Sequence, residues 1–237
     1  MVKLILLTNA VNPLLCYCEL MARTTSPEAT ALPASDRRAR RRKETIDEIL
    51  DIAVAIMSEE GVNGLSLSEV ARRLGVQPPS IYKYFPSLMA IYDELFLRGQ
   101  RVHLDVMRDA MATADPGLDA LIAGLEASGR WLLANRAVAE LLFWRPVPRF
   151  EPSPEAMAFS LEMVDIQRTA LADAVTAGQL GPQADADEAV FLVSTLIIGV
   201  LSQAFANEPD LEWGTGRFTP LFPKLMRMLP ALYPPTD

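Results

Sequence analysis

The chain has 237 residues, enough for one large domain or two small ones with a buried core. Half of them are hydrophobic and 22% are charged, which excludes a disordered or collagen-like chain, and only 12 are glycine, which disfavours a strand-and-turn-rich fold. The net charge of -8 is unevenly spread: residues 37–86 carry nine Lys/Arg against seven Asp/Glu, and residues 87–237 carry eleven against twenty. A basic segment followed by an acidic body implies two parts with different partners.

Cys16 and Cys18 are separated by one residue and cannot build a disulfide framework, so a reducing, cytoplasmic setting is expected. The single histidine, His103, excludes most His-based triads and multi-His metal sites. No catalytic residue, metal or cofactor is expected. An enzyme using Asp165, Glu162 or His103 is the weakest alternative.

Residues 1–20 begin like a signal peptide, but Thr8, Asn9, Asn12 and Pro13 break the apolar run. A spanning helix needs about 20 apolar residues, so no membrane anchor is expected here. The initiator can be Met1 or Met21, and residues 1–36 read as a disordered extension or one outside the true chain. Arg37, Arg38, Arg40, Arg41, Arg42 and Lys43 then form a basic arm before Glu44.

Ile46, Ile49, Leu50, Ala53, Val54 and Met57 recur at helical spacing, and Gly61 stops the helix. Ser66 and Glu69 form a capping box for a second short helix, ended by Gly75. A third helix is predicted to start near Pro78, where proline costs no amide partner, and to bury Ile81 and Phe85. Two short helices across a tight glycine turn make a helix-turn-helix over residues 37–86. Such a helix fits the major groove. Gln77, Pro78, Pro79 and Ser80 would meet base edges or phosphates, and Tyr82, Lys83 and Tyr84 phosphate oxygens. Ser66 marks a helix N-terminus able to hold a phosphate, and Arg40, Arg41, Arg42 and Lys43 would clamp the backbone.

The segments Gly61-Val62-Asn63-Gly64-Leu65-Ser66-Leu67, Val70-Ala71, Gly75-Val76 and Ser80-Ile81-Tyr82-Lys83-Tyr84-Phe85-Pro86-Ser87 resemble the N-terminal domain of the TetR family of transcriptional regulators. The likeness runs over about residues 43–92. It implies an all-α homodimer with an N-terminal three-helix helix-turn-helix domain and a divergent C-terminal domain that binds an effector. Two positions depart from the family pattern: Leu88 stands where a phosphate-binding Lys is common, and Pro78-Pro79 open the recognition helix. The arginine arm can replace the lost contact, and the bases read are left open.

Residues 87–237 read as the effector-binding and dimerisation domain. Ser87 caps a helix predicted to run to Ala112, with His103 as a partly exposed packing residue. Further helices are expected from Asp115-Pro116, around Leu141, and over residues 154–176. The aromatic and methionine side chains Trp131, Phe143, Trp144, Met157, Phe159 and Met163 suit an apolar ligand, although a plain helical core has the same composition. Glu162 or Asp165 could counter a cationic ligand. Asp185 and Glu188 are expected to cap the next helix, apolar on nearly every face over residues 189–201 and too short there to span a bilayer. Its outward side needs a partner. Phe191, Ser194, Ile197, Ile198 and Leu201, with Leu225 and Leu229 of the terminal segment, form the expected homodimer interface.

Taken with the resemblance, these features imply a ligand-responsive repressor that binds a palindromic double-stranded DNA operator as a homodimer and is released by a small, largely apolar effector. A helical small-molecule-binding protein with a vestigial DNA-binding head stays open as the alternative.

Overall fold

The computed structural model describes residues 34–236, so Cys16, Cys18, Met21 and most of the predicted extension lie outside the described residues. The chain divides into two units, residues 1–41 and 42–237. Helix α1 (Ala34–Glu60) begins well before Glu44. The arginine run expected to be an arm is therefore helical, because Ala, Arg, Lys and Glu are strong helix formers.

From Ile49 onward α1 buries Ile49, Leu50, Ala53, Ile56 and Met57. Gly61, at φ 80°, turns the chain into a 3-10 turn at Val62–Gly64 and on to α2 (Leu67–Leu74). Ser66 Oγ caps α2 by accepting the Glu69 amide at 3.2 Å. The reciprocal half of the capping box does not form, because the Glu69 carboxylate takes Arg72 at 2.6 and 2.7 Å and Arg73 at 2.7 Å instead. Gly75, at φ 74°, ends α2 while the Gly75 and Val76 amides close on Arg72 and Ala71 carbonyls.

The recognition element is a 3-10 helix, Pro78–Lys83, where an α-helix was expected. Pro79 disfavours the α conformation at Pro78, and the tighter turn follows. Ile81 and Phe85 are buried as expected.

Ser87 caps α3 (Leu88–Met111) through the Ala90 amide. This helix belongs to two cores. Ile91, Tyr92, Leu95 and Phe96 complete the core of the head, and Leu104 and Met107 enter that of the body. Ala137, Leu141, Leu142, Val147 and Phe150 also join the head core, so the domain boundary expected after Pro86 is not a boundary in the packing.

Helix α4 (Leu118–Ala134) starts after Gly117, whose φ of 96° turns the chain, and not at Asp115-Pro116. Helix α5 (Arg136–Ala139) runs into a π-helical turn, Glu140–Trp144. A proline-rich loop leads to α6 (Pro154–Thr176), capped by Ser153. Helix α7 (Asp187–Asn207) follows Ala186 with no side-chain cap. Asp185 and Glu188 do not supply one, and Asp187 pairs with Arg168 at 2.7 Å. At 21 residues α7 is long and apolar enough to cross a membrane, which the count over residues 189–201 missed. Within the protein it buries one face, Val193, Ile197 and Leu201, in the body core. Prolines shorten the two remaining helices, α8 (Phe222–Met226) and α9 (Leu229–Leu232). No strand occurs among the described residues.

Candidate functional site

The head presents a polar surface on a rigid base. Gln77, Pro79, Tyr82 and Lys83 are exposed, and Pro78, Ser80 and Tyr84 half-buried. Arg42 closes over this element: its Nη1 donates to the Lys83 carbonyl at 3.0 Å, and its guanidinium lies 5.1 Å from the Tyr84 ring centroid. Tyr84 is therefore packed between the core and Arg42, a more structural position than the sequence implied. Behind it, Arg73 joins α2 to α1 through Glu59 and Glu69 at 2.7 Å each. Hydrogen bonds from Arg72, then Arg73, hold the Glu69 carboxyl at about 2, well below the usual carboxylate range. That network links α1 and α2 at the surface. Ser66 is exposed at the α2 N-terminus, and Arg40, Arg41 and Lys43 are exposed on α1.

The body encloses a cavity of about 320 Å³ walled by α3, α4, the π-helical turn, α6 and α7. Of the six predicted ligand residues, Phe143, Met157 and Met163 line it. The other three do not. Trp131 lies behind the wall, stacked on the His103 ring at 5.4 Å. Trp144 is exposed against Phe205 at 5.5 Å, and Phe159 lies under the Arg101 guanidinium. Glu162 and Asp165 do not line the cavity either. They pair with Arg108 and Arg168, so neither supplies a counter-charge to a ligand inside it.

Sequence reasoning missed the polar part of the lining: Gln100 and His103 on α3, Ser128 on α4, and Gln167 on α6. His103, expected to be partly exposed, is 3% exposed. Burial pushes its pKa down to about 4, so the ring is neutral at physiological pH. Its Nε2 is 2.5 Å from Ser128 Oγ, while Nδ1 has no partner. Gln100 Oε1, one turn earlier and equally buried, also has none. An unmet buried polar atom costs about 1–3 kcal/mol, so two on one cavity wall are a notable local burden. The signal was available: Phe96, Gln100, His103 and Met107 share one helical stripe, two of whose members are polar.

The predicted dimer residues divide in the same way. Ile197, Leu201 and Leu229 are buried within the chain's own core. Ser194, Ile197 and Ile198 line the cavity. Leu225 is half-buried, and only Phe191, at 62% exposure, is openly displayed. A helix apolar on every side carries no amphipathic phase from which the outward face could be read.

A helix-turn-helix head on a larger helical body is an architecture suited to binding DNA. Residues 49–95 match the family described as "Bacterial regulatory proteins, tetR family". The chain is 41% identical over 63 residues to the uncharacterized HTH-type transcriptional regulator YobS of Bacillus subtilis, covering 27% of this chain and a third (33%) of that relative. It is 27% identical to the class A tetracycline repressor protein from transposon 1721 of Escherichia coli, covering 77% of this chain and 78% of that protein. The crystal structure of the TetR family transcriptional regulator PfmR from Thermus thermophilus superposes with a TM-score of 0.61 at 22% identity, covering 76% of this chain and 96% of that one. The chain is thus similar to TetR-family regulators, in sequence most closely over the head and in fold over most of its length.

Proposed function

We propose that the chain is a homodimeric, cytoplasmic repressor. It would grip a palindromic operator through Gln77, Ser80, Tyr82 and Lys83 and let go when a small molecule fills the body cavity. The observation that carries this reading is α3. One helix walls the cavity with Gln100, His103 and Met107 and supplies Ile91, Tyr92, Leu95 and Phe96 to the core of the head. Tyr92 donates to the Val62 carbonyl at 2.6 Å, and Arg98 pairs with Asp51 of α1 at 2.8 Å, so a shift of α3 has rigid links to the head. Heads on one duplex face must stand about 34–36 Å apart, and a moved α3 would spoil that spacing. The exposed side of α7 at Phe191, with exposed Met228 and Leu232, supports self-association. The likeness to a tetracycline repressor supports repression as the sign of regulation.

The test is a fluorescence-anisotropy titration of the purified protein on inverted repeats from DNA flanking its coding region, with sedimentation in parallel. A dimer is expected, with affinity falling steeply as salt rises. Lys83→Ala should weaken all duplexes and reduce the salt slope by about 1, and Gln77→Ala should relax preference at one base position. Absence of any preferred repeat would favour the small-molecule-binding protein with a vestigial head.

A further inference from the structure

The cavity's polar groups are unequal. Gln167 donates to the Met163 carbonyl at 3.1 Å and accepts from Ser194 at 3.4 Å, so that side is internally satisfied. Gln100 Oε1 and His103 Nδ1 are the two buried side-chain polar atoms without a partner among the described residues, and both residues line this one cavity. Three positions apart on α3, they lie on the same helical face. The His103 ring is held in place by Trp131 stacked on it and Phe143 against its edge at 5.7 Å. These are the features of a site built in advance for a polar group on an otherwise apolar molecule.

The chemistry of that group follows from the two atoms. Gln100 Oε1 can only accept. We assign Ser128 as the donor to Nε2, one of the two directions the contact allows, so that His103 carries its hydrogen on Nδ1 and can only donate there. A hydroxyl gives and takes a hydrogen bond at one atom. A carboxylate has no hydrogen to give, an ammonium meets no carboxylate in the lining, and an ether or ketone only accepts. The single charged residue of the lining, Arg145, is exposed to solvent and its charge is screened. The volume of about 320 Å³ stands at the small end of the roughly 300–1,000 Å³ range of ligand sites.

We propose that the molecule this cavity takes is a small, neutral, mainly apolar alcohol or phenol, whose hydroxyl donates to Gln100 Oε1 and accepts from His103 Nδ1. The proposal rests on the reading of the cavity as the effector site and names the effector's class.

Three probes of matched shape test it by calorimetry on the full chain without DNA: 4-butylphenol, butylbenzene and 4-butylbenzoate. 4-Butylphenol should bind at least ten-fold tighter than either of the others. Gln100→Leu and His103→Leu should each bring it down to the level of butylbenzene, whose own unchanged binding reports that the cavity is intact. Because the chain has one histidine, nitrogen-15 resonances of its ring are unambiguous. The phenol should shift Nδ1 and leave Nε2 nearly unmoved. Equal binding of phenol and hydrocarbon, tighter binding of the benzoate, no binding of any probe, or a phenol preference that survives Gln100→Leu would each overturn the proposal. Operator release is read separately by anisotropy. A phenol that binds as expected but leaves operator bound would sink the effector reading and spare the site chemistry. Release by the benzoate without phenol preference would do the reverse.

Discussion

The head and the body handle their polar groups in opposite ways. In the head, Tyr92 Oη finds the Val62 carbonyl, Ser66 finds the Glu69 amide, and Arg73 ties α2 to α1 through Glu59. In the body, the space between α3, α4, α6 and α7 stays partly open, and two residues of its wall, Gln100 and His103, each hold a buried polar atom without a partner. On the proposed function, the region that presents a fixed surface to DNA satisfies its own groups, and the one that accepts a ligand leaves groups for the ligand to satisfy.

Large-to-small substitution should break this comparison most visibly. Phe96 is fully buried in the head core, in ring contact with Phe150 at 6.1 Å. Phe96→Ala should cost about 3–5 kcal/mol in urea unfolding, from lost burial plus a new cavity. Met163 also is buried, but one side of it already faces open space. Met163→Ala should cost under about 2 kcal/mol, since the cost of truncation depends on how well packed the site was. Comparable losses at both positions would mean that the body cavity is as tightly closed as the head core.

Acid should separate the two regions next. The His103 pKa falls from an ordinary 6.5 to about 4 because burial penalises the charged ring. Between those values the unfolded chain binds a proton that the folded chain refuses. Stability from this group is therefore fully present above pH 6.5 and is lost as pH falls toward 4. The loss amounts to roughly 3 kcal/mol by the time both states are protonated. Arg145, the one charged side chain lining the cavity with His103, is exposed to solvent, and burial alone lowers the ring's pKa. Urea titrations from pH 4 to 7 should show this slope in the native sequence and a shallower one in His103→Gln. Parallel slopes would place the acid sensitivity elsewhere.

The head was legible in the sequence because its signals are local. Apolar spacing in α1, Ser66 three residues before Glu69, Gly75 at a left-handed turn and Pro78 at a helix start each act within a turn or two of chain. Even there, the double proline tightened the recognition element to a 3-10 helix and Arg42 covered Tyr84, outcomes that depend on neighbours in space. The cavity draws its walls from five segments between Gln100 and Ile198, and no local pattern specifies which faces meet. Trp131, Trp144 and Phe159 have the composition of a ligand lining but point elsewhere. Gln100 and His103 interrupt an apolar stripe, and that interruption was the readable trace of the site. For α7, apolar on every side, burial of Ile197 and Leu201 was set by α4 and α6 packing against it.

The smallest effect gives the sharpest contrast, because the same kind of change should act with opposite sign in the two regions. Tyr92→Phe removes only a hydroxyl, but that hydroxyl donates to Val62 at 2.6 Å in a buried setting. Its loss leaves a buried carbonyl unpaired and should destabilise the protein by about 1–2 kcal/mol. Gln100→Leu removes a buried amide of similar reach whose carbonyl oxygen is already unpaired. No partner is orphaned at that atom, apolar surface replaces polar surface on the cavity wall, and stability should rise by about 1 kcal/mol. The gain would come with loss of ligand discrimination, since the group removed is the one a ligand would satisfy. Guanidinium unfolding of the two variants at pH 7.5, where His103 is neutral in both states, measures the pair without interference from the acid transition. A destabilised Gln100→Leu would show that Gln100 is already satisfied in solution, by water or by a shifted neighbour. The body would then resemble the head, with its polar groups at rest, and the contrast between the two regions would be lost.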